Sequence, residues 1–131
     1  MIVVDASALA AALVVSGERA SRLRDRLRAD EAHVPHLVDI EVLSVVRRLV
    51  LAGELRPGEG DRAIDRLRRW PLRRHAHGPL LRRAQQLRNP LSSYDATYVA
   101  LSEIVAAPLV TCDGRLARSH GHGATIEHVA L

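Results

Sequence analysis

Lysine is absent from this chain: all 19 basic residues among its 131 are arginine. GC-rich codon bias explains the choice, but the chemical consequence stands whatever the cause. There is no Walker-type phosphate lysine, no Schiff-base lysine and no lysine nucleophile. A phospho-aspartate receiver domain that relies on a nearby lysine is disfavoured for the same reason. Phenylalanine is also missing, and Trp70, Tyr94 and Tyr98 make up the whole aromatic content. Platforms for stacking bases are therefore nearly absent, and any nucleic acid bound here would be held mainly by its phosphates. The single cysteine, Cys112, excludes an intramolecular disulfide and a Cys-rich zinc cage. A reducing, cytoplasmic location is the expectation. No uncharged apolar run approaches the ~20 residues that span a bilayer. The opening MIVVDASALAAALVV carries Asp5 and no basic n-region, so neither a secretory leader nor a membrane association is expected.

What is present is the balance of a globular protein, 47% hydrophobic and 26% charged. The length suits one domain over residues 1–131, with roughly two-thirds of the unfolded surface buried and no need of covalent staples. Charge is uneven. Residues 19–88 hold 17 Arg against 9 acids, whereas residues 1–18 and 89–131 are each net negative by two. A basic middle with acidic ends suits a polyanion-binding surface around a small acidic centre, although an Arg excess alone is commonly just a solvated helical face.

Strand-like runs alternate with helical periodicity. Residues 2–4 read as a short strand, 6–15 as helix, 18–29 as an amphipathic helix with Ala20, Leu23 and Leu27 inward, and 32–34 as a second strand. Helices are expected over 37–51 and 57–70, a weak strand over 72–75, and helices over 80–87 and 92–106. A strand at 109–112, a helical turn at 115–119 and an alternating strand at 125–129 close the chain. The alternation predicts an α/β fold with a mainly parallel sheet.

Four acids carry the chemistry. Asp5 and Asp113 each follow a predicted strand and precede a helix, and Asp95 sits in Ser92-Ser93-Tyr94-Asp95, a capping-box spacing. Taken singly, each reads as a helix cap. Glu41 is different: its helical neighbours Leu37, Val38, Ser44 and Val45 make a mostly apolar face with no basic partner. A carboxylate there needs a cation, a donor network or a raised pKa. Taken jointly, four acids from separated segments can converge on one crevice beyond the carboxyl ends of parallel strands. Their repulsion would then call for a cation, and an oxygen-only donor set suits Mg²⁺ or Mn²⁺. An acidic metal centre with a basic rim is a coherent phosphodiester-hydrolysing design.

At these residues the sequence resembles a known family. V-V-D-A-S at the start, P-H-L-V-D-I-E-V-L-S-V-V-R-R, S-S-Y-D-A-T-Y-V-A-L-S-E and L-V-T-C-D-G-R-L-A together resemble a PIN-domain ribonuclease toxin of the VapC type, in order and spacing over nearly the whole chain. The resemblance implies a three-layer α/β/α domain with a central, mainly parallel sheet of four to five short strands. It implies Mg²⁺-dependent endoribonuclease activity (Mn²⁺ substituting), with a metal-activated water hydrolysing RNA, in the toxin of a type II toxin–antitoxin system. The implied partners are a cognate VapB-like antitoxin and a second copy in a homodimer. Carried over residue by residue, Asp5, Glu41, Asp95 and Asp113 match the acidic metal and catalytic site, and Ser7 and Thr111 match nearby polar positions. The alternatives are a non-catalytic RNA-binding or antitoxin-binding PIN-like domain, against which the intact four-acid set argues, and a structure-specific DNA nuclease, which the metal chemistry permits equally. His75-Ala-His77 and His120-Gly-His122 are expected to be surface-loop histidines, Cys112 a small core residue in its strand, and Trp70 core. Ser7 lacks the G-x-S-x-G context of a hydrolase nucleophile.

Overall fold

A strand covered on both faces has to be apolar at every position, and the run Ile2–Val4 that forms β1 is buried throughout. In the computed structural model, which describes residues 1–131, four more strands join it: β2 (Ala32–Pro35), β3 (Leu72–His75), β4 (Leu109–Thr111) and β5 (Ile126–His128). The order is β3-β2-β1-β4-β5 and every pairing is parallel. Seven α-helices cover the sheet: α1 (Ala6–Val14), α2 (Glu18–Arg28), α3 (Leu37–Leu51), α4 (Pro57–Arg69), α5 (Leu81–Gln86), α6 (Ser93–Val105) and α7 (Gly114–Ala117). Helices α1 to α4 pack on one another, α5 and α6 form a second group, and the result is a three-layer α/β/α architecture.

The sequence chemistry of each helix matches its place. Uncharged α1 is wedged among α2, α3, α4 and β4, with Ala8, Leu9, Ala12 and Leu13 out of solvent. Seven successive residues of α6, Ala96 to Ser102, are buried because the helix lies across β1, β2 and β4. Amphipathic α2 turns Ala20, Leu23 and Leu27 inward, and its arginines outward. Pro57 opens α4, where its missing N–H costs nothing. Gly60 lets α4 approach α3 closely: a Cβ there would stand 2.8 Å from a Val50 methyl. Trp70, buried at the end of α4, carries the Arg28 guanidinium 4.8 Å over its ring.

Three local expectations are adjusted. The helix expected over residues 80–87 is a 3₁₀ turn, Gly78–Leu80, followed by the short α5, because the Leu80 N–H turns back to the His77 carbonyl. The last strand is Ile126–His128, shorter than 125–129, although the Val129 N–H still reaches the Thr111 carbonyl. Cys112 lies just beyond β4 and is half-buried rather than inside the strand. The chain leaves the ladder there because the Cys112 and Asp113 N–H groups turn to the Ser7 and Thr111 hydroxyls. No helix is long and apolar enough to cross a membrane.

Candidate active site

The sheet order places β2 on one side of β1 and β4 on the other, and such a switch point opens a crevice at the carboxyl ends of the strands. Asp5 follows β1 at this point and is 5% exposed. Its Oδ1 accepts the Ala8 N–H at 3.0 Å and the Ser7 hydroxyl at 2.7 Å, and its Oδ2 accepts the Thr111 hydroxyl at 2.6 Å. Ser7 Oγ also accepts the Cys112 N–H, and Thr111 Oγ1 the Asp113 N–H. The two hydroxyls thus fix Asp5 and stitch the exit of β1 to the exit of β4. Asp5 is indeed the cap of α1, and three of its roughly four lone-pair directions are used. The fourth remains.

The other acids come from three more segments. Glu41 projects from α3, and its Oε1 accepts the Tyr98 hydroxyl at 2.6 Å. Asp95 lies in the first turn of α6, its N–H held by Ser92 Oγ at 3.1 Å, which is one half of the capping box that the spacing suggested. Asp113 caps α7, with Oδ1 accepting the Arg115 N–H at 2.8 Å. Asp5, Ser7, Glu41, Asp95 and Asp113 all line one open cavity of about 700 Å³, and Thr111 lies buried beneath it, bonded to Asp5.

Electrostatically this cavity is crowded with anions. Burial raises the Asp5 pKa, outweighing its three hydrogen bonds, and the Asp95 charge adds to the rise. Glu41 is raised by burial and by the charges of Asp95 and Asp5, against the Tyr98 hydrogen bond. Asp95 is raised by burial and by Asp113, against the charge of Arg115. The Tyr98 hydroxyl, buried and facing Glu41, is driven far above its ordinary range and stays a donor. The donor set is all oxygen, which suits a hard divalent cation. No three His, Cys, Asp or Glu side chains stand close enough together to hold a metal ion by themselves. A cation here would keep water or substrate oxygens among its ligands, as Mg²⁺ commonly does.

Residues 2–120 match the family model described as the PIN domain. The chain belongs to the PIN-domain family. Its PIN-domain relatives include Ribonuclease VapC12 of Mycobacterium tuberculosis, 42% identical over 130 residues covering 99% of this chain and 100% of that one. VapC ribonuclease Mb0985 of Mycobacterium bovis is 45% identical over 116 residues, 88% of each chain. Within the PIN family the chain is of the VapC ribonuclease type. Among solved structures, Mycobacterium tuberculosis VapC20, a sarcin-ricin loop cleaving toxin, superposes with a TM-score of 0.67 at 16% identity, covering 94% of this chain and 97% of that one. A toxin–antitoxin complex from Klebsiella pneumoniae gives 0.65 at 16% identity, covering 92% and 93%. At that identity the two structures speak for the PIN fold.

The PIN-domain cavity also holds residues that the sequence did not single out, Arg48, Tyr94, Tyr98 and Arg115, together with His77. Tyr98 had a readable signal, since it follows Asp95 by three residues and so shares its helix face. Of the two histidines expected in a loop, His77 does lie in one, between β3 and the turn Gly78–Leu80, whereas His75 belongs to the strand. His75 ends β3 and stands 2.8 Å from the ring of buried His33, because the β2–β3 register makes them diagonal neighbours. His77 Nε2 accepts the Leu37 N–H at the start of α3. Several arginines are held in ion pairs away from the cavity, among them Arg26 with Glu127, Arg74 with Asp39 and Arg83 with Glu103.

Proposed function

We propose that this chain is a Mg²⁺-dependent endoribonuclease, the toxin of a type II toxin–antitoxin pair. The observation that carries the reading is the convergence of four carboxylates from four chain segments on one cavity, three of them destabilised as anions by burial and mutual charge. Asp5 and Asp95 would hold the ion, with Glu41 and Asp113 joining directly or through water. When bound, Mg²⁺ (or Mn²⁺ in its place) supplies Lewis-acid polarisation of the phosphodiester and a more acidic water.

The chain's own residues do the rest. Ser7 and Thr111 prevent Asp5 from turning away. Tyr98 occupies one oxygen of Glu41 and leaves the other free to accept a proton from the attacking water. His77 is a poor candidate for that task, because its Nε2 is engaged by the Leu37 N–H. Arg48 and Arg115 on the cavity wall supply positive charge for the phosphate backbone, which positions RNA without reading its sequence.

The relatives' names and the Klebsiella toxin–antitoxin complex support a VapB-like antitoxin as partner. A basic antitoxin side chain among the four acids would suit their charge. A homodimer and a cytoplasmic site of action, where unpaired Cys112 stays reduced, complete the proposal. The test is cleavage of a mixed-sequence RNA, with single-stranded DNA of the same sequence alongside. Mg²⁺ should support RNA cleavage and EDTA should stop it. Undiminished RNA cleavage by pure protein in excess EDTA would overturn the mechanism, and equal cleavage of the DNA would move the substrate class.

A further inference from the structure

Arg115 brings a positive charge to the place where a divalent ion would have to sit. Its Nη2 lies 3.2 Å from Asp95 Oδ2 and 3.5 Å from Asp113 Oδ2, so one guanidinium bridges two of the four acids. Its backbone N–H is pinned by Asp113 Oδ1, while its side chain is 75% exposed. The root is fixed and the tip is free. Ion pairs this exposed hold weakly, so a more highly charged competitor can displace the guanidinium without disturbing the fold. Once displaced, it stays tethered at the rim of the same cavity.

We propose that Arg115 is an internal counter-cation that trades partners. In the free protein it neutralises Asp95 and Asp113 and competes with the divalent ion; when the ion takes those carboxylates, the guanidinium turns to the phosphate of the RNA. The inference rests on the metal-dependent ribonuclease reading. Two cations cannot share the same pair of carboxylates without strong repulsion. A planar guanidinium released beside a phosphodiester matches it with two parallel N–H donors, which a lysine ammonium cannot do. One residue therefore opposes the metal before substrate arrives and favours the substrate afterwards. Charge and shape make these two roles separable.

The experiment titrates Mn²⁺ alone into the parent, Arg115→Gln and Arg115→Lys, with Arg68→Gln as a charge-matched control on α4, where Arg68 is 76% exposed. Calorimetry and the Mn²⁺-induced rise in melting temperature both report binding without reference to activity. With one charge removed from the site, Arg115→Gln should bind Mn²⁺ roughly 3- to 10-fold more tightly. Arg68→Gln and Arg115→Lys should stay near the parent. At saturating Mn²⁺, both Arg115 variants should lose about tenfold or more in kcat/KM on RNA, because neither presents the fork. Mn²⁺ binding to Arg115→Gln that is no tighter than to the parent would overturn the competition. Parental cleavage by the same variant would overturn the phosphate contact. A parent that binds no Mn²⁺ would sink this inference and the ribonuclease mechanism together, whereas a parent that binds and cleaves beside unchanged variants would sink this inference alone.

Discussion

The Tyr98 hydroxyl donates to Glu41 from a position that is only 1% exposed, so the pair behaves as one unit. Tyr98→Phe should leave a half-buried carboxylate short of its donor and cost about 1–3 kcal/mol, the range for a buried acceptor that loses its partner. Denaturant unfolding in EDTA would read that loss, and RNA cleavage should fall with it. Unchanged stability would mean that water replaces the hydroxyl and that the bond matters little. Residues of this kind divide cleanly by legibility. Asp5 and Asp113 were visible as carboxylates after apolar strands and Glu41 as one on an apolar helix face, whereas Asp95 read alone as part of a capping box and stood out only beside the other three and through the family motif. Tyr98 passes for core because a tyrosine in a buried helix needs no explanation, and only its spacing from Asp95 points to the site. Arg115 was hidden among 19 arginines whose roles only three-dimensional neighbours distinguish.

At the level of elements, apolar periodicity located nearly every strand and helix, and the errors fall where local hydrogen bonds compete. The turn Gly78–Leu80 interrupts a helical pattern, and two hydroxyls pull Cys112 and Asp113 out of the strand register. The junction between α6 and β4 carries one strained position. Ala106 adopts φ 53°, a left-handed helix cap that favours glycine. Ala106→Gly should relieve the Cβ clash and stabilise the protein by about 0.5–1 kcal/mol after the entropy of the more flexible unfolded chain is subtracted. Urea midpoints of the two proteins would measure it, with no change expected in cleavage. A destabilised glycine variant would show that the Ala106 methyl contributes packing that outweighs the strain.

Across the whole molecule, the order β3-β2-β1-β4-β5 brings the four acids together, and that order is not written in any one segment. The parallel sheet was legible from the alternation of strands and helices, and a crevice beyond the strand ends from the acids that follow them; its location beside β1, between β2 and β4, came only with the strand order. The shared field of the acids has a measurable signature in stability. Asp5, Glu41 and Asp95 all have folded-state pKa values raised above the ordinary 3.8 for Asp and 4.5 for Glu. Their contribution to stability is therefore fully present below those ordinary values, and is lost as pH rises through the raised ones. Asp5→Asn removes one such group while preserving the cap of α1, since Asn caps about as well as Asp. In EDTA the variant should match the parent near pH 4, and should melt at a higher temperature than the parent at neutral pH. Its cleavage of RNA should nevertheless collapse. A gap that widened toward acid instead would reverse the sign and show that the Asp5 hydrogen bonds dominate its burial.

The lone tryptophan has a practical consequence for spectroscopy. Trp70 lies at the far end of α4 beneath Arg28, whereas Tyr94 and Tyr98 line the cavity. Indole emission thus monitors the seam between α2 and α4, and phenol signals monitor the acidic cavity. A chromophore is already installed in each region, without any label. Loading the cavity should leave the indole spectrum still, and an indole response to a bound ion or oligonucleotide would be direct evidence that the helical layer shifts as a body.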